Sequence, residues 1–144
     1  MREPPSANLR QRLRDVGLRA TPARIAVARS LMMATGPLTH LEIAASLVAT
    51  DVDKSTVFRV LQDLISAGLA RRLDVGDHTW RYERASSIPT GPSGHAHPHL
   101  LCVDCGSVTC LADAKVELKV PRAVGDIEEV ILKGHCQPCR EANR

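Results

Sequence analysis

Three histidines at alternate positions, His95, His97 and His99, run into Cys102-Val-Asp-Cys105-Gly106, and a second pair, Cys136-Gln-Pro-Cys139, follows after a gap of 30 residues. Imidazole nitrogen and thiolate sulfur are metal ligands, and this run holds more of them than one ion needs. A two-residue gap lets both sulfurs of a tight turn point at one ion, and Gly106 suits the left-handed bend after the second cysteine. Two such turns close a four-thiolate tetrahedral shell suited to structural Zn²⁺ on Cys102, Cys105, Cys136 and Cys139. Reduced structural thiols or a redox pair are the alternatives. A redox motif would want a single Cys-x-x-Cys at a strand-to-helix junction, which fits two separated pairs less well.

The histidines define a second device. On a strand, His95, His97 and His99 would all face one side, so neighbouring imidazoles could share one ion. Further ligands are needed, and the candidates are Cys110 (the odd cysteine), Glu83 and His78. A carboxylate, two imidazoles and a thiolate make a tetrahedral set suited to Zn²⁺, and thiolate softness argues against Mn²⁺ and Mg²⁺ and weakly against Fe²⁺. Ligands drawn from both sides of a hinge could lock it, which a sensor needs and a purely structural site does not. Bland readings compete: Cys110 as a small buried hydrophobe, Glu83 as a solvated strand end, His78 as a wing-tip residue.

The chain has 144 residues, 44% of them hydrophobic, enough for a globular core in one domain or two small ones. Phe58, Trp80 and Tyr82 are the only aromatics, so the core must be aliphatic. Residues 1–84 carry thirteen Lys/Arg against nine Asp/Glu, whereas residues 85–144 carry six against seven. A basic first part and a near-neutral Cys/His-rich second part fit a polyanion reader joined to a metal module. The polar N-terminus and the interruption of the most apolar stretch by Arg29 give an expectation of a cytoplasmic protein without membrane association. In a reducing compartment, paired Cys-x-x-Cys motifs favour metal over disulfides.

Several elements must position these groups. Residues 6–16 read as a helix with Leu9 and Leu13 on one face and Gly17 as its stop. Thr21-Pro22 supplies an N-cap and a first-turn proline for a second helix, which Gly36-Pro37 ends. Thr39 and Glu42 form a capping box that opens a third helix, with Leu41, Ala44, Ala45 and Val48 as its apolar stripe. A fourth helix starts near Asp53, buries Val57, Val60, Leu61 and Leu64, and stops at Gly68. Leu69–Leu73 and His78–Glu83 flank a Val75-Gly-Asp turn and read as a β-hairpin. Ser86–Gly94 has the composition of a linker. Residues 95–101, 106–111 and 127–133 read as strands, and Pro121 argues against a long helix in the ambiguous stretch between Asp113 and Asp126.

These residues resemble the ferric uptake regulator (Fur) family of bacterial metal-responsive repressors over nearly the whole chain. The resemblance is carried by Gly17-Leu-Arg-Ala-Thr21-Pro-Ala-Arg24, Ser55-Thr-Val-Phe-Arg59-Val-Leu61, Ala67-Gly68-Leu69 and the His-rich strand with both Cys-x-x-Cys pairs. It implies an α+β chain: a winged helix-turn-helix over 1–84, a hinge over 85–94 and a small α/β dimerisation domain with a four-cysteine zinc site over 95–144. It implies a regulatory site on Glu83, His97, His99 and Cys110. Cys110 stands where iron-type members usually carry a carboxylate, which turns the expectation toward the zinc uptake regulator type, with a second Zn²⁺ or Fe²⁺ as regulatory ion. The histidine that often completes that site is replaced by Pro37, leaving His78 and His95 as alternative ligands. A further family site would fall on Ala96, Pro98, Glu117 and Glu128 and is expected to be absent, since only the glutamates could ligate. The segment between the cysteine pairs is shorter than usual, so the domain's helix is expected to be reduced.

The expected function is a non-enzymatic repressor that binds palindromic double-stranded DNA as a homodimer when the hinge metal is in place. Ser55, Phe58, Arg59 and Gln62 share the face of the fourth helix opposite its buried stripe. Arg59 could pair with guanine, Gln62 with adenine, and Phe58 (usually Tyr in the family) could touch a thymine methyl. Arg19, Arg24, Lys54, Arg71 and Arg72 are candidates for phosphate contacts. An iron- or peroxide-responsive regulator is the nearest rival. A zinc hydrolase on His97, His99 and Glu83 lacks an HExxH or nucleophile motif. A metal-storage protein would leave the winged-helix pattern unexplained.

Overall fold

A computed structural model describes residues 6–85, 98–111, 114–117, 119–125 and 130–144. The chain divides into two compact units, Met1–Ala85 and Ser86–Arg144. His95, His97 and the linker residues 86–94 lie outside the described residues, as does Glu128.

The first unit runs α1 (Ser6–Asp15), α2 (Pro22–Met33), β1 (Leu38–Thr39), α3 (His40–Ser46), α4 (Lys54–Ser66), β2 (Ala70–Asp74) and β3 (Trp80–Arg84). Its helix ends follow local chemistry. The Thr21 hydroxyl accepts from Arg24 N, and Pro22 sits in the first turn of α2, where a missing N–H costs nothing. Thr39 and Glu42 complete a reciprocal capping box on α3, at 3.1 and 2.7 Å. The Asp53 carboxylate caps α4 by accepting from Thr56 N at 2.7 Å. At the other end of α4, Gly68 takes φ 74 and the amides of Gly68 and Leu69 turn back to Ile65 O and Leu64 O. That paired closure needs a left-handed residue, and glycine adopts it without a Cβ penalty.

The core of this unit is aliphatic, with Leu13, Val27, Ile43, Val57, Leu61 and Leu64 essentially buried and Tyr82 the aromatic among them. The stripe of α4 is the expected one: Val57, Val60, Leu61 and Leu64. That of α3 is not. Ile43, Ala44 and Leu47 are buried, whereas Leu41 and Val48 are 61% and 84% exposed. Two stripes offset by a residue both had helical spacing. The choice falls to β1, which pairs Leu38 with Tyr82 and Thr39 with Arg81 and so fixes the roll of the helix that follows at once. A two-residue strand has too short a pattern to be anticipated.

The three strands form an antiparallel sheet in the order β1-β3-β2, with β2 and β3 making the wing hairpin. At its turn, Asp74 accepts from Gly76 N and Asp77 from Thr79 N. His78 lies in that turn with φ 60 and does not begin the strand as expected; β3 starts at Trp80.

The second unit holds a mixed sheet in the order β5-β4-β6, from β4 (His99–Cys102), β5 (Val108–Cys110) and β6 (Ile131–Gly134). β4 pairs antiparallel with β5 and parallel with β6. All three strands are shorter than or shifted from the expected ranges within the described residues. Between β5 and β6 the described residues form a single 3-10 turn, Arg122–Val124, after Pro121. α5 (Gln137–Ala142), which sequence pattern did not reveal, follows β6 and carries Cys139. Six residues with no buried side chain leave no periodicity to read. No described helix is long and apolar enough to cross a membrane.

Candidate functional site

The four cysteines of the paired motifs converge. Cys102 closes β4, Cys105 lies in the following turn, Cys136 is the N-cap of α5 and Cys139 sits in its first turn. Parallel pairing of β4 with β6 brings Cys102 opposite Gly134, so the two motifs leave the sheet side by side. Their four sulfurs lie within 4.8 Å of one another, and Cys105 Sγ is 3.8 Å from Cys136 Sγ. A tetrahedral shell with zinc–sulfur bonds of about 2.3 Å has sulfur–sulfur edges of about 3.8 Å, so the donor set fits Zn²⁺ in type, number and spacing.

The turns also prepare the sulfurs. Cys102 Sγ accepts from the backbone N–H of Cys136 at 3.3 Å, and with the Cys105 amide this draws the Cys102 thiol down to about 6. The Ser107 hydroxyl, 3.1 Å from Cys105 Sγ, and the Ser107 amide hold Cys105 below the ordinary thiol value. Cys139 is pushed the other way, kept protonated by hydrogen bonds to the sulfurs of Cys136 and Cys105. Crowded thiolates repel, so a divalent cation is what allows all four to ionise together. Beside them, Asp104 accepts from His135 Nδ1 at 2.6 Å and from Asn143 Nδ2 at 3.4 Å, tying one turn to the other and to the end of α5. That hydrogen bond raises the His135 pKa.

A different pair occupies the opposite face of β4. Alternation along the strand puts His99 and Leu101 on one side and Leu100 and Cys102 on the other. His99 is fully buried and lies directly across the ladder from Cys110, so an imidazole and a thiol sit side by side, away from the four-cysteine cluster. Glu83 belongs to the first unit, where it is buried on β3 opposite Arg71 and ion-paired with it. His78 does not accompany Glu83. From Trp80 to Glu83 the strand already spans about 10 Å at 3.3 Å per residue, and His78 lies beyond it in the turn.

The outer face of α4 presents Ser55, Phe58 and Arg59 exposed and Gln62 half-buried, with Lys54 exposed in its first turn. Phe58 is 48% exposed, so it is not a core residue. Arg19 is exposed before α2. Arg24, expected as a phosphate contact, has partners within the fold. Its Nε and Nη2 donate to Asp63 at 3.3 and 2.8 Å and its Nη1 to Arg19 O at 3.1 Å, so it clamps α2 to α4. The exposed side of α2 gave it a basic residue's ordinary reading; its partner, 39 positions away, was not visible. Arg71 is likewise engaged, with Glu83, and Arg72 stacks over Trp80 at 3.9 Å. His40 is a residue sequence reasoning missed: its Nε2 lies 2.7 Å from Lys54 O, at the start of α4.

Fold and sites together define a winged-helix unit joined to a small thiol-rich metal module, the class of a metal-responsive regulator. The Ferric uptake regulator family model matches residues 15–133, and the chain belongs to that family. Its members are metal-responsive transcription regulators and not enzymes. The ferric uptake regulation protein of Legionella pneumophila is 34% identical over 112 residues, covering 74% of this chain and 76% of its own. Among solved structures, the Vibrio cholerae ferric uptake regulator matches with a TM-score of 0.65 at 24% identity, covering 89% of this chain and 99% of its own. A zinc uptake regulator complexed with zinc and DNA matches with a TM-score of 0.58 at 18% identity, covering 96% and 94%.

Proposed function

We propose that the chain is a zinc-responsive repressor that binds palindromic DNA as a homodimer when its regulatory metal site is filled. The observation that carries the zinc reading is the Cys110 thiol directly across from the buried His99 imidazole, on the face of β4 away from the four cysteines. In this reading residues 1–84 read DNA, 85–94 are the hinge and 95–144 bind metal and dimerise. Cys102, Cys105, Cys136 and Cys139 hold a structural Zn²⁺ that crosslinks the second unit. His97, His99 and Cys110, with Glu83 from the first unit, hold the regulatory ion, and His95 is a reserve ligand. Soft thiolate beside imidazole favours Zn²⁺ over Fe²⁺ for that ion. Exposed Leu132 on edge strand β6, with Val116 and Val120, supports burial against a second copy.

On DNA, Arg59 and Gln62 read base edges, Phe58 contacts a thymine methyl, and Lys54, Ser55 and Arg19 hold phosphates. Two such helices must stand about 34 Å apart, or a multiple of it, to enter successive major grooves. Bound metal supplies charge and a fixed coordination geometry at the hinge. The chain's own residues supply the reader, and locking the hinge sets its spacing.

The deciding experiment is DNA binding under anaerobic conditions, titrated separately with buffered zinc and ferrous iron. Zinc should switch binding on at lower free concentration than iron. If iron alone activates, the zinc reading is overturned. The second reading, an iron-responsive regulator, is favoured by the ferric uptake regulation relatives and predicts that outcome. A peroxide-responsive regulator predicts loss of binding on peroxide treatment. Failure to bind DNA with either metal would remove both readings.

A further inference from the structure

We propose that His40 is a positioning residue for the base-reading end of α4, holding Phe58 in a fixed pose and thereby setting sequence discrimination. The inference rests on the DNA reading above and adds a residue to it.

His40 is the first residue of α3, yet its side chain reaches the start of α4. Nε2 lies 2.7 Å from Lys54 O. A carbonyl only accepts, so Nε2 carries the hydrogen and donates. In a regular helix that same carbonyl also receives the amide of the residue four positions on, which is Phe58. The imidazole therefore engages the peptide group that anchors Phe58. It touches the ring as well: the two centroids are 6.0 Å apart with planes at 81°, an edge-to-face pair.

Phe58 needs such support because it is 48% exposed and nothing in the aliphatic core takes it up. An exposed aromatic ring near the start of a helix would otherwise populate several rotamers, each aiming at a different point in a groove. His40 can hold it because His40 is itself fixed. Thr39 before it is paired to Arg81 in the sheet and closes the capping box with Glu42. The constraint thus passes from the sheet, through the α3 cap and the imidazole, to α4, whose Thr56 amide is capped by the Asp53 carboxylate. Base readout depends on side chains placed to a fraction of an ångström, whereas phosphate contacts tolerate movement. Loss of His40 should therefore act on discrimination and spare non-specific affinity.

The test uses the full-length zinc-loaded protein and two duplexes of equal length, one enriched from a random pool by the wild-type protein and one random. His40→Ala should weaken binding to the enriched duplex about tenfold, the combined scale of one edge-to-face pair and one hydrogen bond. Affinity for the random duplex should stay within about twofold, and the melting temperature should fall by a few degrees, the same for free protein whatever duplex is then added. His40→Gln, which keeps a donor but loses the ring, should recover part of the loss. Phe58→Ala should mask the effect, so that Phe58→Ala with His40→Ala discriminates no worse than Phe58→Ala alone. Equal losses on both duplexes, no loss, or additive losses in the double variant would each overturn the proposal. So would full activity in His40→Gln if His40→Ala failed to fold. If the wild-type protein enriches no sequence, the DNA reading itself fails and takes the proposal with it.

Discussion

Arg59 and Arg19 are both exposed arginines of the first unit, but chemistry separates their roles. In the proposed DNA reading, a guanidinium on the outer face of α4 would make two parallel bonds to guanine, while one ahead of α2 would hold phosphate. Arg59→Ala should cost about 1–3 kcal/mol on a selected duplex and little on a random one, relaxing specificity. Arg19→Ala should weaken both alike and flatten the salt dependence. Binding to the two duplexes across a salt series checks this; equal effects of Arg59→Ala on both would remove it as a reader. The cysteines carry the other residue-scale prediction. Among the described residues of the second unit, Leu101 and Val108 are the aliphatic side chains that are buried, a small core. In the proposed reading, metal at Cys102, Cys105, Cys136 and Cys139 adds to that core, as structural zinc does in zinc-finger peptides, where it contributes roughly 10–16 kcal/mol. Chelation, or Cys136→Ser, should abolish cooperative melting of the second unit while the first retains its helical circular dichroism. An unchanged melting profile after verified metal loss would refute the structural role.

Helix ends decide where those residues stand. The Asp53 carboxylate caps α4, and the bonds it accepts from Thr56 hold its pKa below the ordinary 3.8. A depressed carboxyl pKa stabilises the fold above the unfolded value and ceases to do so as pH falls through the folded one. The wild-type protein should therefore lose thermal stability on acidification below about pH 4, whereas Asp53→Asn, an equally competent cap without a titrating proton, should lose less. Parallel melting curves of the two proteins at every pH would show that the cap does not contribute. These caps also explain what could be read in advance. Thr21-Pro22, Thr39 with Glu42, Asp53 and Gly68 are local signals, and the helices start and stop at them. The stripe of α3, the two-residue β1, the six-residue α5 and the Arg24–Asp63 clamp were not readable. Each depends on a partner distant in sequence or on a segment too short for a period. The four-cysteine site was legible because ligand spacing is a local property. The facing of His99 and Cys110 was legible only as strand alternation, since their register depends on how β4 and β5 pair.

At the scale of the whole molecule, the proposed reading assigns two tasks to the two faces of β4. Cys102 serves the four-sulfur cluster from one face, while His99 and Cys110 stand on the other. Damage to one should therefore leave the other intact. His99→Ala and Cys110→Ser should each keep one tightly held zinc per chain and an unchanged oligomeric state, yet shift metal-activated DNA binding to higher free zinc. Linkage sharpens the expectation. If metal raises DNA affinity by a factor, DNA raises metal affinity by the same factor, commonly 5–150-fold or about 1–3 kcal/mol. In the wild-type protein, zinc titrated in the presence of the selected duplex should bind at correspondingly lower free concentration than zinc titrated alone. In either variant that difference should shrink toward unity, because the ion that distinguishes the two hinge states no longer binds. Zinc content, sedimentation and paired zinc titrations with and without DNA measure all of this. Loss of the tightly held zinc or of the dimer in Cys110→Ser would mean that Cys110 belongs to the structural core, and an undiminished DNA-linked shift would mean that the metal sensed lies elsewhere.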